Sequence, residues 1–261
     1  MTVYDSIGNN YDETRRADER ILSLIVSLLD RPPGSLIADI GAGTGNYSYE
    51  LAKAGYIVRA LEPSEEMRRQ GKRHDGLEWF NGFAEDVPFE SGLFDGVICT
   101  LATHHFSSLE ASFVEMRRIM KCGARLVIFT TDLRMAEESC WIRDYFKPQY
   151  DFACGIHPEL GYFTGLAESV FRSKADVTRF PLPHDLADRF FYSAWRYPEQ
   201  YLDAGFRKGI SCFALVDDKT TAASLRRLES DLKSGAWDAK YGFYRSREFY
   251  DGGYYFLTVC K

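Results

Sequence analysis

At 261 residues, 45% of them apolar, the chain is long enough to bury a sizeable core as a single domain over residues 1–261, with room for inserted lids. Its net charge of −6 argues against a nucleic-acid partner, because affinity for phosphates depends on clustered Lys and Arg. No apolar run reaches ~18 residues, no signal-peptide core opens the chain, and the six cysteines lack C-x-x-C or His spacing, so the expectation is a cytoplasmic protein without membrane span or metal. Cys99, Cys212 and Cys260 sit in apolar, strand-like contexts and read as reduced core residues.

Residues 18 to 30 place Ile21, Leu24, Ile25, Leu28 and Leu29 on one helical face, and Arg31-Pro32-Pro33-Gly34 stops that helix. Leu36-Ile-Ala-Asp39-Ile-Gly41-Ala-Gly43-Thr-Gly45 then reads as a strand running into a glycine loop, with a helix over Thr44 to Ala54. Tyr56 to Leu61 is a second strand that delivers Glu62 to its carboxyl end; Pro63 and a capping Ser64 follow. The basic run Arg68 to Arg73 reads as a solvated helix end. Glu78 to Asn81 gives a short third strand, and Phe94-Asp95 leads into a fourth, Gly96 to Thr100. Ser107-x-x-Glu110 predicts a capping box for a helix bearing Leu109, Phe113, Met116 and Met120, and Ala124 to Thr130 is strand five.

The alternation then breaks. Residues 131–173 and 183–216 form two aromatic-rich insertions on either side of a sixth strand, Ala175 to Leu182. A helix near 219 to 234 ends at Gly235, and Tyr254 to Cys260 is the last strand. The pattern predicts an α/β fold, a Rossmann-like doubly wound seven-stranded sheet, with the ligand-binding core over residues 1–130.

A dinucleotide fingerprint is G-x-G-x-x-G, whereas here the third glycine comes one residue early and Asp39 stands two before the first. Glu62 follows about twenty residues past the glycines, the distance at which an acid reaches ribose hydroxyls. Together with Ala84-Glu85-Asp86-Val87-Pro88-Phe89, Tyr11-Asp12-x-Thr14-Arg15 and Met120-Lys121-Cys122-Gly123, this resembles the class I S-adenosylmethionine methyltransferases acting on small molecules, a group that includes the ubiquinone and menaquinone C-methyltransferases. The resemblance implies a last strand antiparallel to the rest of the sheet, S-adenosylmethionine as donor and S-adenosylhomocysteine as product. It implies a cofactor site of Gly41, Ala42, Gly43, Gly45, Glu62, Pro63, Met67, Ala84, Glu85 and Thr100, with Tyr11 and Arg15 folded over it. Phe83 and Cys122 depart from the family pattern; the first transfers the adenine amino contact to Glu85.

Ligands of open α/β sheets bind outside the carboxyl ends of the strands. Strand four ends in Thr103-His104-His105 and strand five in Thr131-Asp132, so His104 or His105 is the candidate base, with Asp132 to orient it. The bland alternative is two histidines that satisfy the loop and pack under a lid. Arg15 is expected either to meet the methionyl carboxylate or to pair with Asp12 or Glu19 on a helix surface. The insertions carry Trp141, Tyr145, Phe146, Tyr150, Phe152, Tyr162 and Phe163, then Phe190, Phe191, Tyr192, Trp195 and Tyr197. Half of these are expected in a lid core and the rest around a flat or hydrophobic acceptor, methylated on oxygen or nitrogen. The competing readings are a tRNA-modifying methyltransferase, a non-catalytic S-adenosylmethionine-binding protein and a nicotinamide-dependent oxidoreductase; the assembly expected is a monomer or homodimer.

Overall fold

The computed structural model describes residues 15–137 and 140–261, so Tyr11 lies outside the described residues. The first helix, α1 (Glu19–Leu29), starts where the Asp18 carboxylate accepts from the Arg20 N–H and ends at Asp30, in the left-handed conformation just before Pro32-Pro33. Ile21, Ile25 and Leu29, four residues apart, are its buried stripe.

The strands are β1 (Leu36–Ile40), β2 (Ile57–Leu61), β3 (Leu77–Phe80), β4 (Phe94–Thr100), β5 (Met120–Thr131), β6 (Ala175–Arg179), β7 (Leu182–Pro183), β8 (Phe249–Tyr250) and β9 (Tyr254–Cys260). Seven of them form one sheet in the order β3-β2-β1-β4-β5-β9-β6, and β9 is antiparallel to both of its neighbours, as the resemblance implies for the last strand. Ile40 lies opposite Leu61, Leu61 opposite Phe80, and Asp39 opposite Ile98, so the chain leaves β1 to β4 along one edge. That edge carries the glycine loop, Glu62, residues 81–85 and the turn after Thr100.

Four expectations are corrected. Strand five begins at Met120, because that residue pairs with Phe94 before a register shift carries the chain past Lys121 to Gly123. Strand six ends at Arg179; Pro181 has no N–H to continue the ladder, and Leu182–Pro183 pairs with Phe249–Tyr250 in a separate small sheet. The cap of the helix Leu109–Ile119 is Ser108, one residue later than expected, its hydroxyl accepting from the Ala111 N–H. Cys212 lies in a helix; all six cysteines are free, and Cys122 is exposed.

Helices α2 (Asn46–Lys53), α3 (Glu65–Gln70) and α4 (Leu109–Ile119) connect the first five strands. The first insertion folds as α5 (Trp141–Tyr145), α6 (Lys147–Ile156) and α7 (Leu160–Phe171). The second holds a 3₁₀ turn at Pro198–Leu202 with α8 (Ala204–Lys208) and α9 (Ser211–Leu215), after which come α10 (Asp218–Ser234) and α11 (Ala236–Tyr241). The insertions lock to each other where the Trp141 indole N–H donates to the Trp195 carbonyl at 2.7 Å, and Trp141 also meets Trp237 of α11 edge to face at 5.5 Å. Phe190 sits on the sheet, 4.5 Å from the Tyr254 ring and 6.2 Å from Phe129. This places the helical layer beside the β4 and β5 ends.

Candidate active site

Gly41 follows β1 with φ +74°, and a Cβ there would meet the Ala102 side chain at 2.6 Å. Only glycine lets the loop pass under the β4 turn. Gly45 caps α2 at φ +75° with Trp79 behind it, where a Cβ would fall 2.6 Å from the indole ring. Between them the Gly43 N–H donates to Glu62 Oε2 at 2.9 Å, while Ser64 N–H donates to Oε1 at 2.9 Å. Two backbone donors therefore fix the carboxylate of Glu62, 7% exposed, against the loop.

The loop and strand ends enclose a cavity of about 350 Å³, within the range of small-molecule sites. Arg15, Gly41, Ala42, Gly43, Glu62, Pro63, Met67, Ala84, Glu85 and Thr100 all line it. Gly45 does not; its part is to let α2 start against Trp79. Two buried oxygens facing this region lack protein partners, Asp39 Oδ1 and Thr100 Oγ1. Asp39 is 2% exposed; burial pushes its pKa up to about 7 against the Ser48 hydroxyl bond that lowers it, with Glu62 adding repulsion. Four carboxyls line this pocket, Asp39, Glu62, Glu85 and Asp188, and the poorly solvated Asp39 beside the loop-held Glu62 fits a ligand bearing hydroxyls and positive charge, as S-adenosylmethionine does.

Glu85 departs from its expected contact. Its Oε1 accepts from the Ser107 N–H, the Ser107 hydroxyl (2.9 Å) and the Ser108 N–H (3.1 Å), so this oxygen holds the entry to α4 rather than facing an adenine amino group. Phe83, 57% exposed, supplies a ring on the same wall.

On the other side, Leu101 adopts φ +51°, a strained conformation for a branched residue, and its N–H donates to Phe129 O at 2.8 Å. That kink starts the 3₁₀ turn Thr103–His105 and aims the two histidines differently. His105 faces the 350 Å³ cavity. His104 lines a second, smaller cavity of about 60 Å³ with His157, Thr131, Leu133, Phe190, Phe191 and Tyr254; Arg15 and Leu101 border both. His157, which ends α6, has no signature in the sequence that pairs it with His104.

The three imidazoles form a tilted ladder, with centroids 3.9 Å apart for His104 and His105 and 4.3 Å apart for His104 and His157. Removal from water, reinforced by Arg15, pushes the His105 pKa down to about 4, although its ring is open to the cleft. Burial and the neighbouring His105 and Arg134 charges lower His157 to about 3, and His104 is held well below its usual value by burial and both ring neighbours. All three rings are neutral at pH 7. A ring with so low a pKa is a weak proton acceptor at pH 7.

Asp132 does not orient either histidine. Its Oδ1 accepts from the Arg134 N–H (3.2 Å) and Nε–H (2.6 Å), and its Oδ2 accepts from the Leu160 N–H at 3.0 Å, so the carboxylate caps the turn Leu133–Met135 and the start of α7. Asp12 lies outside the described residues; among the described contacts the Arg15 Nε–H and Nη2–H donate to Asp188 at 2.5 and 3.2 Å. Asp188 lies in the second insertion and escaped the sequence reading altogether. Of the twelve insertion aromatics, Phe190 and Phe191 line the second cavity; most of the others are buried lid core, and Tyr162 is 62% exposed. Among the described residues no group of His, Cys, Asp and Glu is arranged to hold a metal ion, and no helix is long and apolar enough to cross a membrane.

Residues 38–128 match the family model of a methyltransferase domain. The chain is 30% identical over 188 residues to a demethylmenaquinone methyltransferase of Corynebacterium glutamicum, an alignment covering 68% of this chain and 81% of that one. The chain belongs to the class I S-adenosylmethionine methyltransferases. A demethylmenaquinone methyltransferase of Renibacterium salmoninarum is 30% identical over 132 residues, and the chain spans 56% of its length. A crystal structure described as a methyltransferase from an antibiotic biosynthesis pathway of Anabaena variabilis is similar throughout: 42% identity, TM-score 0.91, covering 95% of this chain and 99% of that one. The fold also matches a Haemonchus contortus phosphoethanolamine N-methyltransferase solved with S-adenosylhomocysteine (15% identity, TM-score 0.59, 93% of this chain and 52% of that one). This methyltransferase is thus an enzyme that uses S-adenosylmethionine, and the nicotinamide and non-catalytic readings are set aside.

Proposed function

We propose that this methyltransferase moves the methyl group of S-adenosylmethionine to an oxygen of a small, flat, hydroxylated aromatic metabolite. In this reading Glu62 receives the ribose hydroxyls, Gly41 to Gly43 present backbone to the cofactor, Phe83 and Ala84 flank the adenine, and Thr100 faces the methionyl portion. The observation that carries it is the second cavity: it shares Arg15 and Leu101 with the cofactor cavity and presents Phe190, Phe191, Tyr254 and two neutral imidazoles, with no carboxylate in its lining. Methyl transfer is an in-line displacement in which the carbon–sulfur bond breaks with its electrons going to sulfur while the acceptor oxygen forms the new bond, so alignment dominates.

The electrostatics narrow the acceptor. Histidines held near pKa 4 and below draw a proton poorly from an alcohol. A phenol or enol, already acidic and losing its proton to water, fits these surroundings. His104 and His105 then act as hydrogen-bonding walls. Methylation of a quinol on ring carbon is the second reading, favoured by the similarity to demethylmenaquinone methyltransferases. A panel of phenols, enols, amines and unmodified tRNA with methyl-labelled S-adenosylmethionine tests the proposal. Label in the phenols or enols supports it, and label confined to amines or tRNA sinks it.

A further inference from the structure

The cofactor cavity runs along the strand ends, with Phe83 and Glu85 after β3 at one end, Glu62 after β2 next, and Thr100 to Ala102 after β4 at the other. Arg15 borders both this cavity and the second one, whose walls come from the β5 and β9 side, so it marks the end remote from Phe83. There it meets Asp188, which is 1% exposed and also lines the cavity. The pair is anchored on α2: the Tyr47 hydroxyl donates to Asp188 Oδ2 at 3.1 Å, and the Asn46 amide donates to the Arg15 carbonyl at 3.2 Å. A buried opposite-charge pair in a ligand cavity, held in place by its neighbours, has the charge pattern of an α-amino acid in reverse.

We infer that Arg15 and Asp188 together bind the amino-acid end of the cofactor, the guanidinium taking its carboxylate and the Asp188 carboxylate taking its ammonium. In the chain without cofactor the two side chains satisfy each other, and the zwitterion substitutes for each partner in turn. The inference rests on the 350 Å³ cavity being the cofactor site. It also gives the second insertion, through Asp188, a direct hold on the cofactor, next to the cavity assigned to the acceptor.

Three ligands separate the roles. S-Adenosylhomocysteine carries both charged groups, decarboxylated S-adenosylmethionine keeps the ammonium only, and 5′-methylthioadenosine has neither. Calorimetry should find that Asp188→Asn weakens the first two at least about tenfold and leaves the third within about twofold, as expected for lost charged hydrogen bonds. Arg15→Ala should weaken S-adenosylhomocysteine by a similar factor and spare the other two. Unchanged S-adenosylhomocysteine affinity in Asp188→Asn overturns the inference, as does an equal loss for all three ligands, which would make Asp188 a residue that merely holds the fold. If Glu62→Ala leaves the affinity for 5′-methylthioadenosine intact, the cavity itself has been misassigned.

Discussion

The rings of His104 and His157 face each other at 4.3 Å and 42°, and the Nδ1 atom of each is buried without a protein partner. Such a stack tolerates no positive charge. In the unfolded chain these side chains take protons near pH 6.5, whereas in the folded chain His105 does so near 4 and His157 near 3. Between those values the unfolded state binds more protons, so stability falls as pH drops from about 6.5 towards 4. The melting temperature should therefore decline between pH 7 and pH 5, and His157→Phe, which removes one of the titrating rings, should decline less steeply. Parallel curves for the two proteins would show that the stack does not titrate as described.

Asp39 gives the opposite sign near neutrality. Its pKa of about 7 reflects the cost of ionising a buried acid beside Glu62, and a cation in the cavity offsets that cost and lowers the pKa. Binding of S-adenosylmethionine at pH 7 should release about half a proton, read as a dependence of the calorimetric heat on the ionisation enthalpy of the buffer. Asp39→Asn should abolish that dependence. Heats identical in all buffers for the wild-type chain would contradict the assignment.

Glu62 accepts from the loop and is proposed to accept from ribose as well. Replacing it with alanine removes the acceptor for Gly43 N–H together with the ligand contact, and should weaken S-adenosylmethionine by about 1.5 to 3 kcal/mol. Glu62→Gln keeps an acceptor oxygen and should fall between the two. NAD, titrated in parallel, should give no heat.

The first half of the site was legible because its signals are local. Three glycines at alternate positions, an acid at the next strand end and an aspartate before the loop lie within about one βαβ unit. The doubly wound sheet followed from the alternation of helical and strand-like apolar runs. The rest depends on partners far apart in sequence: Arg15 and Asp188 are separated by 173 positions, and nothing local in either segment announces the other. His157 meets His104 only because Asp132 caps α7 and Arg134 donates to the carbonyls of Cys154 and His157, pinning the end of α6 over the β5 terminus. Asp132 and Glu85 were misread for one reason: a carboxylate near a helix start finds backbone N–H donors, and that local demand outweighs a side-chain partner across the cleft.

The histidines offer a direct contrast between positioning and proton transfer. If His105 were the general base, His105→Ala would lower turnover by roughly 10²- to 10⁴-fold. With an ionised acceptor the account expects a loss below about tenfold for acidic phenols, growing as the phenol becomes less acidic. A uniform large loss across phenols of different acidity would restore the base assignment.

Transfer of the methyl group to oxygen is read out by turning over a phenolic or quinol acceptor with S-adenosylmethionine carrying a ¹³C-methyl group and recording the carbon spectrum of the product. A methyl resonance in the aryl-ether region is expected, strongly reduced when Glu62→Ala replaces the wild-type chain at cofactor concentrations near its binding constant. A resonance in the aryl C-methyl region instead, or no transfer to any hydroxylated ring, would overturn the proposed oxygen methylation.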